Sequence, residues 1–185
     1  MTELVFFLEE RSAKEMLKGV LPRILPNEFT LRYVVFEGKQ DLEKRLPIRL
    51  RAWQRADSKF VVMRDQDSGD CQTIKEGLFQ KCAGAGKRDC LIRIACHELE
   101  SFYLGDLAAV GRALGPANLG RKQGKAKYRD PDHLANPAQE LKKLAKGYQK
   151  ISGSRAIGAV LSIEANRSTS FNALIAGVRR IAEIE

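Results

Sequence analysis

Histidine is nearly missing from this chain, two residues in 185, which removes the imidazole clusters that most zinc sites need. Cysteine is scarce too. Cys71, Cys82, Cys90 and Cys96 have ten, seven and five residues between them. No CxxC pair occurs, so a zinc site built from them would need unusual spacing, and they read as free thiols of a reducing cytosol. No apolar run reaches the roughly 18 residues that would cross a membrane. The N-terminus, Met-Thr-Glu-Leu-Val-Phe-Phe-Leu-Glu-Glu, lacks a basic opening and meets carboxylates early, unlike a secretory signal. Internal repeats and low-complexity tracts are absent as well. With 44% hydrophobic and 30% charged residues, the composition is that of an ordinary globular chain able to bury a core.

Positive charge is present in excess and unevenly placed. The net charge is +9; residues 121–185 hold 13 Lys and Arg against 6 Asp and Glu, leaving 19 against 17 for the first 120. A near-neutral front and a basic back suggest a polyanionic partner approached by the back.

Short β-branched and aromatic runs alternate with helical patterns along residues 1–110. Strands are expected over residues 3–8, 31–36, 59–64 and 90–96. A helix capped by Ser12 with Glu15 in a capping box should follow the first. The second should be followed by a helix from Gly38-Lys39 that breaks at Pro47, and the third by a helix over residues 70–83 with Ile74, Leu78 and Cys82 inward. After the fourth comes one helix carrying Phe102, Tyr103, Leu104 and Leu107. Strand and helix alternating with short connections make a parallel α/β sheet. Residues 115–137, basic and poor in apolar periodicity, read as a long mobile surface loop. Helices starting at Pro137 and over residues 156–163 and 171–184, the last capped by Ser168 or Ser170, close the chain. The expected organisation is an α/β core over residues 1–110 and, over 111–185, a basic loop and helical C-terminal extension packed on it.

The acids fall in a pattern. Residues 60–70, Phe-Val-Val-Met-Arg-Asp-Gln-Asp-Ser-Gly-Asp, run a buried strand into Asp65, Asp67 and Asp70. While the backbone stays extended, Asp65 and Asp67 project to one side. Glu9 and Glu10 end the first strand, Glu37 the second, and Glu98 and Glu100 the fourth. Carboxylates therefore gather at the edge of the sheet where open α/β folds bind ligands. Oxygen donors without a histidine cluster suit Mg²⁺ or Mn²⁺ rather than Zn²⁺. Glu98 and Glu100 share a face on a strand but point apart on a helix, so a helical start leaves one of them at the metal. His97 reads as a supporting residue rather than a ligand.

Leu8-Glu9-Glu10-Arg11-Ser12 and Asp65-Gln66-Asp67 together resemble the Toprim domain of topoisomerases, primases and overcoming-lysogenization-defect nucleases, which places a glutamate after its first strand and Asp-x-Asp after its third. With Gly38-Lys39 and His97-Glu98-Leu99-Glu100 leading into Leu104-Gly105-Asp106, the chain more closely resembles a family of small bacterial Toprim-like proteins classed as a domain of unknown function, family 4276. It departs from the Toprim pattern at Glu10, where glycine is usual, and at Ala13, where an acid often stands. Both bear on whether one metal or two is held.

Two readings follow. The resemblance implies a Toprim-like (Rossmann-like) fold of about four parallel strands and a Mg²⁺- or Mn²⁺-dependent nuclease in bacterial anti-phage defence. Its catalytic residues would be Glu9, Asp65 and Asp67, and its metal ligands those three with Glu98 and Glu100. Nucleic acid, DNA or RNA, would meet Lys39, Lys122, Lys125, Lys127, Lys150 and Arg155. The other reading is a non-catalytic accessory subunit of an ATPase partner, with Trp53, Phe102 and Tyr103 either at an interface or in the core. The chain's oligomeric state stays open.

Overall fold

The computed structural model describes residues 2–184. Four strands, β1 (Glu3–Leu8), β2 (Thr30–Val35), β3 (Ser58–Asp65) and β4 (Leu91–Ala95), form one parallel sheet in the order β2-β1-β3-β4. The central strands read as unbroken apolar runs because both faces of the sheet are covered. Side chains alternate between two cores. Leu4, Phe6, Leu8, Val61 and Met63 enter one; Val5, Phe7, Phe60 and Val62 enter the other.

Helix α1 (Arg11–Val20) covers the first face and buries Met16, Leu17 and Val20. Ser12 does not cap it. The helix starts one residue earlier, immediately after a two-residue turn, and the Ser12 hydroxyl instead donates to Glu10 Oε1 at 2.5 Å. Helices α2 (Lys39–Arg51) and α3 (Cys71–Gly84) cover the second face. Pro47 does not break α2. An interior proline costs about 3 kcal/mol, but Leu42, Leu46 and Leu50 are fully buried around it, and that packing carries the helix through. Asp70 caps α3, its carboxylate accepting the Thr73 N–H at 2.8 Å.

Past β4 the single expected helix is two, α4 (Glu100–Leu104) and α5 (Leu107–Leu114). Gly105 sits against Asn166, and Asp106 restarts the chain by accepting the Ala109 N–H at 3.0 Å. Residues 115–137 are not a bare loop. They fold into a 3-10 turn (Leu119–Lys122), the short helix α6 (Ala126–Arg129) and a second turn (Pro131–His133), with Leu119 and Tyr128 buried. The Gln123 side chain ties this span down: its oxygen accepts from Leu107 N–H (2.7 Å) and its amide donates to the carbonyls of Leu104 (3.0 Å) and Tyr128 (2.9 Å). Buried anchors at wide intervals carry no periodic signal, which is why the sequence looked loop-like.

Three helices follow: α7 (Pro137–Leu144), with proline at its first turn, α8 (Lys150–Val160), starting six residues before expectation, and α9 (Thr169–Ala182), capped by Ser168. Helix α9 lies on β4, and α8 lies on α1. The α1–α8 crossing is close enough that a Cβ at Gly158 would fall 2.6 Å from the Met16 carbonyl oxygen, and one at Gly19 2.5 Å from Ala159 N. Phe102 and Tyr103 are core residues. Trp53 packs edge-on against Phe7 and Phe60. All four cysteines are free thiols. Among the described residues no helix is long and apolar enough to cross a membrane.

Candidate functional site

Strand order decides where the site lies. The chain leaves β1 for β2 on one side and crosses back to β3 on the other, so the sheet's switch point falls between the C-terminal ends of β1 and β3. Ligands in open α/β sheets occupy that crevice. Glu9 and Asp65 are the residues at those two ends.

They are joined directly. The Asp65 N–H donates to Glu9 Oε2 at 2.9 Å. Asp65 is nearly buried, and its carboxyl is pushed well above the usual range by that burial, then by Glu10, Glu9 and Glu100 around it. Burial also raises Glu9, with the Asp65 N–H and the Arg64 guanidinium offsetting part of the effect. Glu100 is 1% exposed; burial raises it, while Lys150 and Tyr148 pull it back. The Tyr148 hydroxyl donates to Glu100 Oε1 at 2.9 Å, whereas Glu100 Oε2 is buried with no hydrogen-bond partner.

Extended geometry ends at Asp65. The next backbone N–H groups keep pairing, Gln66 to the Ala95 carbonyl (2.9 Å) and Asp67 to that of His97 (2.7 Å), but Asp67 turns into a left-handed conformation at φ 55°. His97 matches it at φ 59°, with Nδ1 3.2 Å from the Asp67 carbonyl oxygen. His97 thus braces the loop. The Asp67 carboxylate is 38% exposed at the rim and meets Lys39 Nζ at 2.7 Å. Gly38 makes that meeting geometric: at φ 99° it both starts α2 and donates its N–H to the Glu9 carbonyl at 3.0 Å. The ion pair in turn raises the Lys39 amine.

Glu98 faces elsewhere. Its Oε2 accepts the Ala138 N–H at 2.8 Å, holding the start of α7. Glu100, two residues on at the start of α4, is the member of the pair that reaches the acids. Glu37 is exposed, its backbone N–H bound to Asp41. Arg64, Tyr148 and the partner of Glu10 escaped sequence reasoning. Arg64, 5% exposed, spans Glu43 at 2.6 Å, Asp67 at 3.8 Å and Glu9 at 4.0 Å; a cation inside a buried strand just before an acid was the available signal. Glu10 pairs with Lys150 at 2.6 Å, 140 residues away, and Tyr148 holds Glu100; neither partnership has a local signature.

The other basic residues are dispersed. Lys122 and Lys125 are exposed. Lys127 pairs with Glu140 at 2.7 Å and Arg155 with Glu15 at 2.7 Å. Two open clefts, of about 620 and 520 Å³, lie along the β4 flank and the opposite rim of the sheet, away from the acids.

Glu9, Asp65, Asp67 and Glu100, with Glu10, offer only oxygen, and the partnerless Glu100 Oε2 lies among them. That donor set suits a hard divalent cation such as Mg²⁺ or Mn²⁺. It is not ready-made: among the described residues, no three His, Cys, Asp or Glu side chains are already gathered as a metal-holding group. Lysines hold two of the acids, Asp67 and Glu10, instead.

A sequence family described as a domain of unknown function, DUF4276, matches residues 8–179. The chain belongs to the DUF4276 family. The DUF4276 chain is also similar in structure to the C-terminal region of the Burkholderia pseudomallei OLD protein, with a TM-score of 0.51 and 14% identity over 97% of this chain and 98% of that one. At such identity the likeness is one of fold. The parallel α/β sheet of four strands flanked by helices, expected from the alternation of strand and helix patterns, is the observed one, and its fold is like that of this region. No curated protein matches the sequence.

Proposed function

We propose that this DUF4276 chain is a divalent-metal-dependent nuclease that hydrolyses phosphodiester bonds of DNA or RNA. The observation that carries the reading is the meeting of Glu9, Asp65 and Glu100 at the switch point of a Toprim-like sheet, with Glu100 Oε2 buried and unpartnered. Glu9, Asp65, Asp67 and Glu100 would hold Mg²⁺ or Mn²⁺. Bound there, the ion would supply charge stabilisation at a scissile phosphate.

The chain's own groups account for the rest. Glu9, at the tip of β1 beside Arg64, would either complete the ion's shell or, left off the metal, serve as general base for an attacking water, a role its burial favours by raising its proton affinity. Lys39, on the rim beside Asp67, can exchange that carboxylate for a substrate phosphate. Lys122 and Lys125, exposed on the basic span, would track a polyanion's backbone and make affinity fall with salt. Arg155 and Lys127 contribute less, since Glu15 and Glu140 already hold them. Glu98 serves the fold rather than the ion. An anti-phage defence setting accords with this chemistry.

A second reading, an accessory subunit beside an ATPase partner, draws on the structural neighbour being one region of a longer protein. A cleavage assay separates the two. Supercoiled, linear and single-stranded DNA and RNA are incubated with purified protein in Mg²⁺ or Mn²⁺, with Asp65→Asn and Glu100→Gln as controls. Metal-dependent cleavage lost in both variants is expected. Absence of cleavage under every condition, or cleavage equal in wild type and variants, refutes the nuclease.

A further inference from the structure

The acid cluster has two sides, each with its own cation. Toward β1 and α2, Lys39 and Arg64 face Asp67 and Glu9. Toward the C-terminal helices, Glu10 meets Lys150, and Glu100 and Asp65 feel its charge. Lys150 opens α8, and its Nζ lies 2.6 Å from Glu10 Oε2 with Glu100 and Asp65 within electrostatic reach. Tyr148, two residues earlier, fixes the other oxygen of Glu100 at 2.9 Å. One short segment therefore delivers both a positive charge and a hydrogen bond to the same side of the cluster.

We propose that Lys150 is a built-in cation that occupies the Glu10 side of the site, so that the chain takes a single divalent ion on the Glu9–Asp65 side. Lys150 is then a positioning residue for the metal rather than a contact for substrate phosphate. The inference rests on the metal-binding reading above and specifies its stoichiometry.

Charge and donors agree with it. Once the acids are ionised, as metal binding requires, Glu9, Glu10, Asp65, Asp67 and Glu100 set five carboxylates against Lys39, Arg64 and Lys150, and Arg64 is shared with Glu43, so two or more negative charges are left for the ion. One divalent ion balances two. A second ion on the Glu10 side would need Glu10 free, and the lysine amine holds it. Glu100 Oε2, buried and without a hydrogen-bond partner, is an oxygen free to share in that ion. Lys150 can hold its place because α8 is locked on α1, the helix that follows Glu10, where a Cβ on Gly158 would fall 2.6 Å from the Met16 carbonyl oxygen.

The test counts ions without relying on turnover. Mn²⁺ is titrated into the full chain by calorimetry and by electron paramagnetic resonance of free Mn²⁺, for wild type, Lys150→Met, Lys150→Arg and Lys39→Met. The expected result is one Mn²⁺ per wild-type chain and one for Lys150→Arg. Lys150→Met should acquire a second ion, because the amine that holds Glu10 has gone. Lys39→Met should gain affinity without gaining an ion, since only a unit positive charge has left the cluster. Two ions on wild type, or a single ion on Lys150→Met, overturns the inference while the metal site stands. No Mn²⁺ on any folded variant overturns the metal site and the inference together. Circular dichroism verifies folding, and if Lys150→Met is unfolded, Lys150→Gln repeats the count with a polar side chain kept beside Glu10 and the charge removed.

Discussion

Replacing Asp65 by asparagine should make the metal-free protein more stable and blind to metal. Asn keeps the shape and can still accept hydrogen bonds, but it removes a charge from among Glu10, Glu9 and Glu100. At an effective dielectric near 20, like charges about 6 Å apart repel by about 3 kcal/mol. Lys150 and Arg64 offset much of that here, and protonation of Asp65 relieves more, leaving about 1–2 kcal/mol to recover. For a chain of 185 residues that raises Tm by about 2–6 °C. The sign with pH is fixed. Asp65 has its folded pKa above the ordinary 3.8, so the stability tied to its proton is full below that value and is lost as pH climbs through the raised folded value. The gap between Asp65→Asn and wild type should therefore open as pH rises from about 4 toward 8. Free Mn²⁺ at a hundred times Kd stabilises the wild type by about 2.7 kcal/mol, or about 5–10 °C, and should leave the variant unmoved. Thermal melts in chelator and in Mn²⁺ across that pH range measure all of this. A variant that melts lower than wild type in chelator, or that keeps the Mn²⁺ response, refutes the placement of Asp65 at a metal centre.

Glu98→Ala should lower Tm by about 2–4 °C through loss of the roughly 1 kcal/mol link to the start of α7, with the Mn²⁺ shift intact; a lost shift would mean that Glu98 and not Glu100 serves the ion. Gly158→Val drives a Cβ into the Met16 backbone and should cost about 3 kcal/mol or more, read as a Tm fall near 10 °C, and a neutral result would refute the tight α1–α8 crossing. In filter binding to single-stranded nucleic acid, Lys122→Ala with Lys125→Ala should flatten the plot of log affinity against log salt by about 1.4. Arg155→Ala, whose guanidinium already serves Glu15, should leave that slope unchanged.

The sheet was legible because its central strands are buried on both faces and so spell continuous apolar words, and because acids follow the strands at the edge where a parallel sheet opens. Glu9, Asp65 and Asp67 could be located from those rules alone. Helix starts were less legible. Ser12 has the chemistry of a cap, but β1 hands over to α1 across only two residues, and Ser12 falls inside the helix. Pro47 was misjudged because local propensity cannot see three leucines packing around it. The span 115–137 is held by Leu119, Gln123 and Tyr128, whose partners lie outside any local window. The choice between Glu98 and Glu100 needed to know that α7 begins beside one and Tyr148 beside the other.

The pairing of Glu10 with Lys150 and of Glu100 with Tyr148 has a consequence in time. Synthesis runs from the N-terminus at roughly 5–20 residues per second, so the sheet and its acids emerge long before their partners do. Until residue 150 of 185 has been made, Glu10 lacks its amine, Glu100 lacks its hydroxyl and α1 lacks the helix that locks it. The cluster is then a set of mutually repelling charges on an unbraced edge. The Glu10 and Glu100 side of the cluster is thus completed only once residues 140 positions downstream of Glu10 have emerged.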